Sequence, residues 1–406
     1  FTLPERDHVR MTEKGVADTK EHGKFDEQLV YKGTRFGFEV ELIGTADDKT
    51  DWESLLNIFA QPYFRIGAGT RNGFGEISVD DIKARSYDLA DKDDLSEYLN
   101  KTSSLNDDYI GFKSISLAKK DGSKWKPYSV TLKPEDFFLF GAGMGDLDAD
   151  LRPKTEKVIC WKDGRAAFSE EQILIPATSV KGAISHRLAF HYNRISPPEA
   201  ANQSFERPDT SSVLNEITQL DFGVNLDELK NKASNDDAWA KAKAQIEGMN
   251  FGDFVKDSAN WKAFTNKMDT LKTAEKENKR PVGEHNPAVR ALFGYAKQDK
   301  KSPDEGQIGH VIISDVHKKK KSEKIFSHVA IDRFTAGGID GALFQEKVAT
   351  LDAFKLEIMV HDDAFPKEDP NVMDAWKATM EDLKKGWIPL GGSTTKGHGV
   401  FIAHKT

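Results

Sequence analysis

The sequence predicts an α+β protein made of ferredoxin-like (RRM-like) units, one complete and one partial, with a mostly helical insertion in the complete one. Three observations lead there. From residue 127 onward the apolar periodicities run strand, helix, strand, strand, helix, strand, which is the ferredoxin-like order. Landmarks from the second half of that run also occur near the N-terminus. Both copies then end in a glycine-rich loop.

The partial copy comes first. It shows His8-Val9-Arg10, then Lys24-Phe25-Asp26-Glu27, then the alternation Phe36-Gly37-Phe38-Glu39-Val40-Glu41-Leu42. Its loop is Arg65-Ile66-Gly67-Ala68-Gly69-Thr70-Arg71-Asn72-Gly73-Phe74-Gly75. The complete copy repeats these landmarks as His328-Val329-Ala330, Leu343-Phe344-Gln345-Glu346 and an alternating segment over 354–360. Its loop runs from Pro389 through Gly391, Gly392, Lys396 and Gly397 to Gly399. The offset is 320 residues from His8 to His328 and 324 from Gly75 to Gly399, too constant for chance. The expected organisation is therefore the C-terminal half of a first unit over 1–85, a linker over 86–126, and a complete unit over 127–406. Asp, Lys, Ser and Asn fill the linker, with one short helix near 95–99.

Within the complete unit, 128–132 and 137–140 read as strands. The segment 179–192 reads as a helix capped by Thr178 or Ser179, with Val180, Ala183, Ile184, Leu188 and His191 on one face. Ser196-Pro197-Pro198 opens the insertion, about 195–285. Strands follow over 308–316, 325–331 and 354–360, then an amphipathic helix over 373–385 and a closing strand over 400–403.

Bulk properties exclude some functions. No apolar run of the chain's 406 residues approaches the roughly 20 needed to span a membrane. Cys160 is the only cysteine, so neither an internal disulfide nor a zinc cage is expected, and a reducing cytoplasm is the natural setting. The chain opens on Phe1 without a signal-peptide pattern, and the missing initial methionine implies residues upstream. The net charge of -8 argues against a nucleic-acid partner only weakly. Residues 195–285 hold 16 acidic and 12 basic residues, whereas Arg65, Arg71, Lys384, Lys385 and Lys396 sit in or beside the glycine loops.

Glycines interspersed with Arg or Lys let backbone N–H groups approach a phosphate that the cation neutralises. A single such loop reads better as a tight strand connection; two at equivalent repeat positions favour the phosphate reading. Gly391 to Lys396 lacks the Gly-Lys-Ser/Thr ending of a Walker loop. Lys181 and Gly182 open a helix, where free N–H groups attract anions. Gly337 and Gly338 suit a protruding hairpin. The loop 141–150 carries Asp146, Asp148 and Asp150 at alternate positions, either a solvated acidic turn or carboxylates placed for catalysis. His191 reads as a satisfied core histidine, and Lys318 to Lys321 as a solvated hairpin tip.

Four motifs together resemble a known family. Ile175-Pro176-Ala177-Thr178-Ser179-Val180-Lys181-Gly182-Ala183 resembles the "IPGSSLKGALR" helix signature of the CRISPR-associated RAMP superfamily. Residues 328–338, with Asp332-Arg333 and Gly337-Gly338, resemble the "IDRxTG" segment of thumb-bearing backbone subunits in type III effector complexes. Residues 286–294 resemble the "LFG" element, and both glycine loops resemble the family's C-terminal loop. Several units on one chain resemble type III-D or III-E fusions. Ala177 departs from the usual Gly and Ser185-His186 from Leu-Arg; the first copy has only Thr12-Glu13-Lys14 where Asp-Arg would align, and lacks the first helix.

The resemblance implies an antiviral ribonucleoprotein in which the chain holds guide RNA (crRNA) beside other RAMP subunits. Guide contacts would come from Gly67, Gly69, Arg71, Lys181, Gly182, Arg333, Gly337, Gly338, Gly391, Gly392, Lys396 and Gly397. Phe334, Ile339 and Leu343 would form a thumb wedge that flips a nucleotide, with Phe344 in the core and Asp332 orienting Arg333. Complementary target RNA would be cut by Asp148, or next Asp150 or Asp146, through 2′-OH attack aided by a divalent cation, Mg or Mn. Relatives hold zinc where the insertion lies; without cysteines there, no structural zinc is expected here. The rival readings are a non-catalytic scaffold, a guide-processing nuclease using His186 or His191, and an adaptor without an RNA role.

Overall fold

In the computed structural model, residues 2–9, 11, 23–102, 104, 111–117, 123–196, 281–296 and 306–404 are described. Residues 1–192 with 282–406 form one compact unit and 193–281 another. Residues 197–280 of the expected helical insertion, and Thr12-Glu13-Lys14, fall outside the described residues.

The first copy supplies an antiparallel pair, β1 (Glu5–Val9) and β2 (Lys24–Gln28), then helix α1 (Lys49–Phe59). Helix α2 (Lys92–Leu99) follows, capped by Asp91, whose carboxylate accepts from the N–H groups of Asp93 and Asp94. The segment 36–42 alternates like a strand yet forms none, and Phe36, Phe38 and Leu42 stay exposed. Its counterpart in the second copy is a central strand with neighbours on both sides.

The second copy builds the core from β3 (Trp125–Pro134), β4 (Gln172–Ile175), α3 (Ala177–Ile195), α4 (Pro287–Phe293), β5 (Val311–Ile313), β6 (Val316–Lys318), β7 (Ser322–Ile331), β8 (Gly338–Thr350), β9 (Phe354–His361), α5 (Asn371–Lys384) and β10 (Phe401–Ala403). The main sheet is antiparallel in the order β5-β9-β3-β10. Phe354, Leu356, Ile358 and Val360 alternate inward on β9 while Lys355 and Glu357 face out, the period of two that a pleated strand demands. On α5, Val372, Ala375, Trp376, Thr379 and Leu383 are buried at helical spacing, and Tyr128 meets Trp376 edge-on at 5.7 Å. Asn286 caps α4 through Ala288 and Val289, with Pro287 at its first position. The first copy covers part of the helix-free sheet face, where Tyr63 stacks on Trp125 at 5.8 Å.

Three expectations need correction. Neither Thr178 nor Ser179 caps α3; the carboxylate of Asp315 accepts from Ala177 N at 2.8 Å instead. The expected strand over 308–316 is broken into three short strands, Gln307–Ile308, Val311–Ile313 and Val316–Lys318, the last two flanking Ser314 and Asp315. Residues 137–140 are irregular, with Phe138, Leu139 and Phe140 buried, because their backbone bonds go to Ala349, Gly392, Gly399 and Lys154 on separate segments.

β7 and β8 form a long antiparallel hairpin from Ser322↔Thr350 to Ile331↔Gly338, with a register shift after Val329. At its start Lys320 pairs with Glu323 and Lys321 with Asp352, as a solvated basic run does.

Candidate nucleic-acid interface

The two glycine loops share one backbone path. Ile66 N donates to Gly75 O at 2.9 Å, and Leu390 N to Gly399 O at 2.8 Å. Asn72 N donates to Gly69 O at 2.7 Å, and Lys396 N to Ser393 O at 2.9 Å. Positive φ recurs pairwise: 88° and 96° at Gly67 and Gly391, 66° and 54° at Gly69 and Ser393, 98° and 93° at Gly73 and Gly397, 73° and 79° at Gly75 and Gly399. A Cβ on Gly75 would lie 2.1 Å from Ile66 O, and on Gly399 2.2 Å from Leu390 O. These carbonyls are part of the loop closure, so neither position admits a side chain without breaking it.

The hairpins preceding the loops correspond as well. His8 pairs with Phe25 and stacks on it at 5.0 Å; His328 pairs with Phe344 and stacks at 4.9 Å. Beside each stack a glutamate meets the imidazole, Glu27 at 3.3 Å and Glu346 at 2.7 Å.

The first loop lies against the start of α3, which brings two groups of candidate residues together. A Cβ on Gly73 would touch Ala177 and Asp315. Lys181 Nζ donates to Asn72 Oδ1 at 3.4 Å. Arg71 donates from Nε to Gly309 O at 2.8 Å and lies 5.1 Å over the Trp125 ring. Arg65 donates to Ser314 Oγ at 3.0 Å, with Glu76 3.9 Å away. Burial pushes Arg65, Arg71 and Lys181 below their ordinary pKa values, and Arg71 lowers Lys181 further. Three crowded, partly desolvated cations at a helix start form a field that an anion relieves. Gly182 leaves open space beside Lys181.

At the tip of the long hairpin, Asp332 accepts from the N–H groups of Phe334 and Thr335 at 2.6 and 3.1 Å. Those bonds hold its carboxyl below the usual range, so it organises the turn through backbone rather than orienting Arg333. The left-handed residue of the turn is Ala336, with φ 54°, rather than Gly337 or Gly338. Arg333 is exposed, as are Ile331, Ile339 and Leu343, and Phe334 is 99% exposed. Phe344 is half-buried and carries Lys396 Nζ 4.5 Å over its ring.

The acidic loop packs at the hairpin's base. Asp146 Oδ1 accepts from Asp148 N and Ala149 N at 2.9 and 3.0 Å, a local turn. Lys347 Nζ sits between Asp146, at 2.7 Å, and Asp148, at 3.2 Å, and holds the Asp146 carboxyl below its ordinary range. Asp150 accepts from Gln345 N at 2.7 Å. Asp148 remains 68% exposed in its side chain. Among the described residues no three His, Cys, Asp or Glu side chains are grouped to hold a metal. The ammonium of Lys347 occupies the place between two carboxylates that a divalent cation would need, so these residues as placed do not fit one.

Sequence reasoning missed the centre of this base. Glu346 is fully buried; its Oε1 meets His328 Nε2 at 2.7 Å and His398 Nε2 at 3.2 Å, and its Oε2 meets Ser393 Oγ at 2.8 Å and Lys396 Nζ at 3.7 Å. The recurrence of His and Glu in both copies was the available signal. Lys396, expected at phosphate, thus has a carboxylate partner and occupies the register of Asn72 rather than Arg71. His191 is a core histidine bonded through Nε2 to Asp382 Oδ2 at 2.6 Å, with its buried Nδ1 left without a partner, while His186 is exposed.

A mixed α/β architecture, an exposed hairpin and cation-bearing glycine loops define the protein's structural class. Residues 169–402 match the family model of the RAMP superfamily, and the chain belongs to that CRISPR-associated family of RNA-binding proteins. No curated protein matches the chain. No described helix is long and apolar enough to cross a membrane.

Proposed function

We propose that the chain is a cytoplasmic, thumb-bearing backbone subunit of a type III CRISPR effector complex, assembled with other RAMP subunits on guide RNA. The sheet order β5-β9-β3-β10 supports reading the second copy as a complete ferredoxin-like unit and the first as the latter half of another. The observation that carries the function is the repeated glycine loop, with Arg71 brought against Lys181 at a helix start. Guide backbone would run over these cations, and the apolar tip around Phe334 would enter the base stack. Sequence choice would then fall to base pairing.

Changing Arg71 and Lys181 together to Ala removes two phosphate contacts. Affinity for single-stranded RNA should fall alike for all sequences, and the slope of log K against log salt should flatten by about 1.4, at roughly 0.7 per contact. Filter binding across a salt series reads both; an unchanged slope refutes the contact.

The catalytic part of the proposal rests on Asp148, whose carboxylate side chain is 68% exposed. Asp148→Ala in the assembled complex should slow one cut in complementary target RNA by roughly 10²–10⁴ and leave guide binding intact. Chelation reports whether Mg or Mn takes part. If the Asp146, Asp148 and Asp150 triple variant still cuts at every wild-type position, these aspartates are not the cutting groups, as the Lys347 bridge already favours, and the scaffold reading stands unless the chain cuts at another site.

A further inference from the structure

The base of the long hairpin holds an acid–base constellation that the RNA-binding reading does not use. His328 and His398 both donate Nε2–H to one oxygen of Glu346, a carboxylate with no exposed surface. A buried carboxylate is costly unless its donors fix it, and here hydrogen bonds from Ser393 and His328, with Lys396 nearby, keep it ionised against the effect of burial. The shared acceptor also fixes both rings: the proton rests on Nε2 and the other nitrogen, Nδ1, is the free one.

Those Nδ1 atoms are open. Neither makes a hydrogen bond within the described residues, and neither is among the buried unpartnered atoms, unlike the Nδ1 atoms of His191 and His317. The side chains are 28% exposed at His328 and 12% at His398. Lys396 Nζ stands beside them, 3.7 Å from Glu346 and 40% exposed. Two imidazoles with outward base nitrogens and an ammonium make up the set that metal-free phosphodiester transfer requires.

The first copy separates what the fold needs from what it does not. There the stacked His8 and Phe25 with Glu27 recur, so imidazole, ring and carboxylate serve the hairpin's attachment. At the positions of His398, Lys396 and Ser393, however, the first loop has Phe74, Asn72 and Gly69. It takes the same path without them, so the second imidazole and the ammonium are additions that the loop's backbone does not require.

We propose that His328, His398 and Lys396 form a metal-independent ribonuclease site acting on RNA that passes the base of the hairpin. One ring, neutral, takes the 2′-OH proton at Nδ1 as the 2′-oxygen bonds to the adjacent phosphorus. The P–O5′ bond breaks, and the leaving 5′-oxygen takes a proton from Nδ1 of the other ring, which enters as imidazolium. A 2′,3′-cyclic phosphate and a 5′-hydroxyl result, and solvent restores both rings. Lys396 offsets charge on the phosphorane oxygens, and Glu346 acts as a positioning residue. The charged groups around the rings are Glu346 and Lys396, with Lys347, Asp146, Asp148 and Asp150 along the same strand and loop.

The test uses the full chain, a labelled single-stranded RNA oligonucleotide of mixed sequence, and excess EDTA. Cleavage should persist in EDTA and in the triple aspartate variant, leave cyclic phosphate ends, follow a bell-shaped pH profile and vanish on 2′-O-methyl RNA. His398→Asn and His328→Asn should each lower the rate by roughly 10²–10⁴, while His8→Asn in the first copy should not. Glu346→Gln should lower the rate less and displace one limb of the pH profile. Should a histidine variant fail to fold, the end groups and the 2′-O-methyl control on wild-type protein decide. Absence of EDTA-resistant cleavage, a 5′-phosphate product, or full activity in folded His398→Asn overturns the site. The Arg71 and Lys181 binding result stays independent of all these outcomes.

Discussion

Arg6→Ala should lower the stability of the chain by about 3–5 kcal/mol, the cost of leaving buried charge without its partner. Arg6 is buried and grips both oxygens of Glu156, at 2.7 and 2.8 Å, and one oxygen of Asp315, at 2.5 Å. The other Asp315 oxygen caps α3 at Ala177, so the variant loosens the helix start that bears Lys181. The effect is also pH-dependent. Burial alone would raise the Glu156 carboxyl, but hydrogen bonds from His317 and Arg6 hold it at about 2, below its ordinary 4.5. A carboxyl depressed on folding stabilises the protein above the unfolded value, and that contribution disappears as pH falls from about 4.5 towards 2. Denaturant titration should therefore show a large gap between wild type and Arg6→Ala at neutral pH that narrows near pH 3. A gap under 1 kcal/mol at pH 7, or one indifferent to acid, contradicts the buried network.

Gly75→Ala and Gly399→Ala should be similarly harmful, each costing about 2–4 kcal/mol: roughly 1–2 for the left-handed backbone and 1 or more for the closing hydrogen bond. Each methyl would lie near 2 Å from a carbonyl oxygen that cannot retreat without opening the loop. Gly67→Ala and Gly397→Ala also carry backbone strain but meet open space, so each should cost about 1 kcal/mol. Thermal melts of the four variants give the comparison. Equal costs at the paired Gly75 and Gly399, and smaller costs at Gly67 and Gly397 where the added methyl meets open space, are what this loop geometry requires; a tolerated Gly399→Ala contradicts it.

Much of this geometry was legible because glycine spacing records backbone demand. Four paired positions take positive φ, and three of the pairs are Gly in both copies. The fourth, Gly69 with Ser393, hid because Ser accepts the left-handed region here at some strain. Alternation located β9 correctly, yet the same alternation over 36–42 forms no strand, since periodicity reports a face to bury and says nothing about ladder partners. The aspartates were found, but not Lys347, which reaches them from the far end of the chain and neutralises what looked like a free cluster. Glu346 was invisible as a centre because its partners come from two other segments, β7 and the last loop.

The paired loops also separate path from content. Their course is written by a few backbone angles, and the side chains at 70–72 and 394–396 project from it without helping to define it. One copy displays Thr-Arg-Asn there and the other Thr-Thr-Lys on the same curve. Such a loop behaves as an interchangeable socket. Charge, size and chemistry at its rim can differ from copy to copy while the backbone beneath keeps its course.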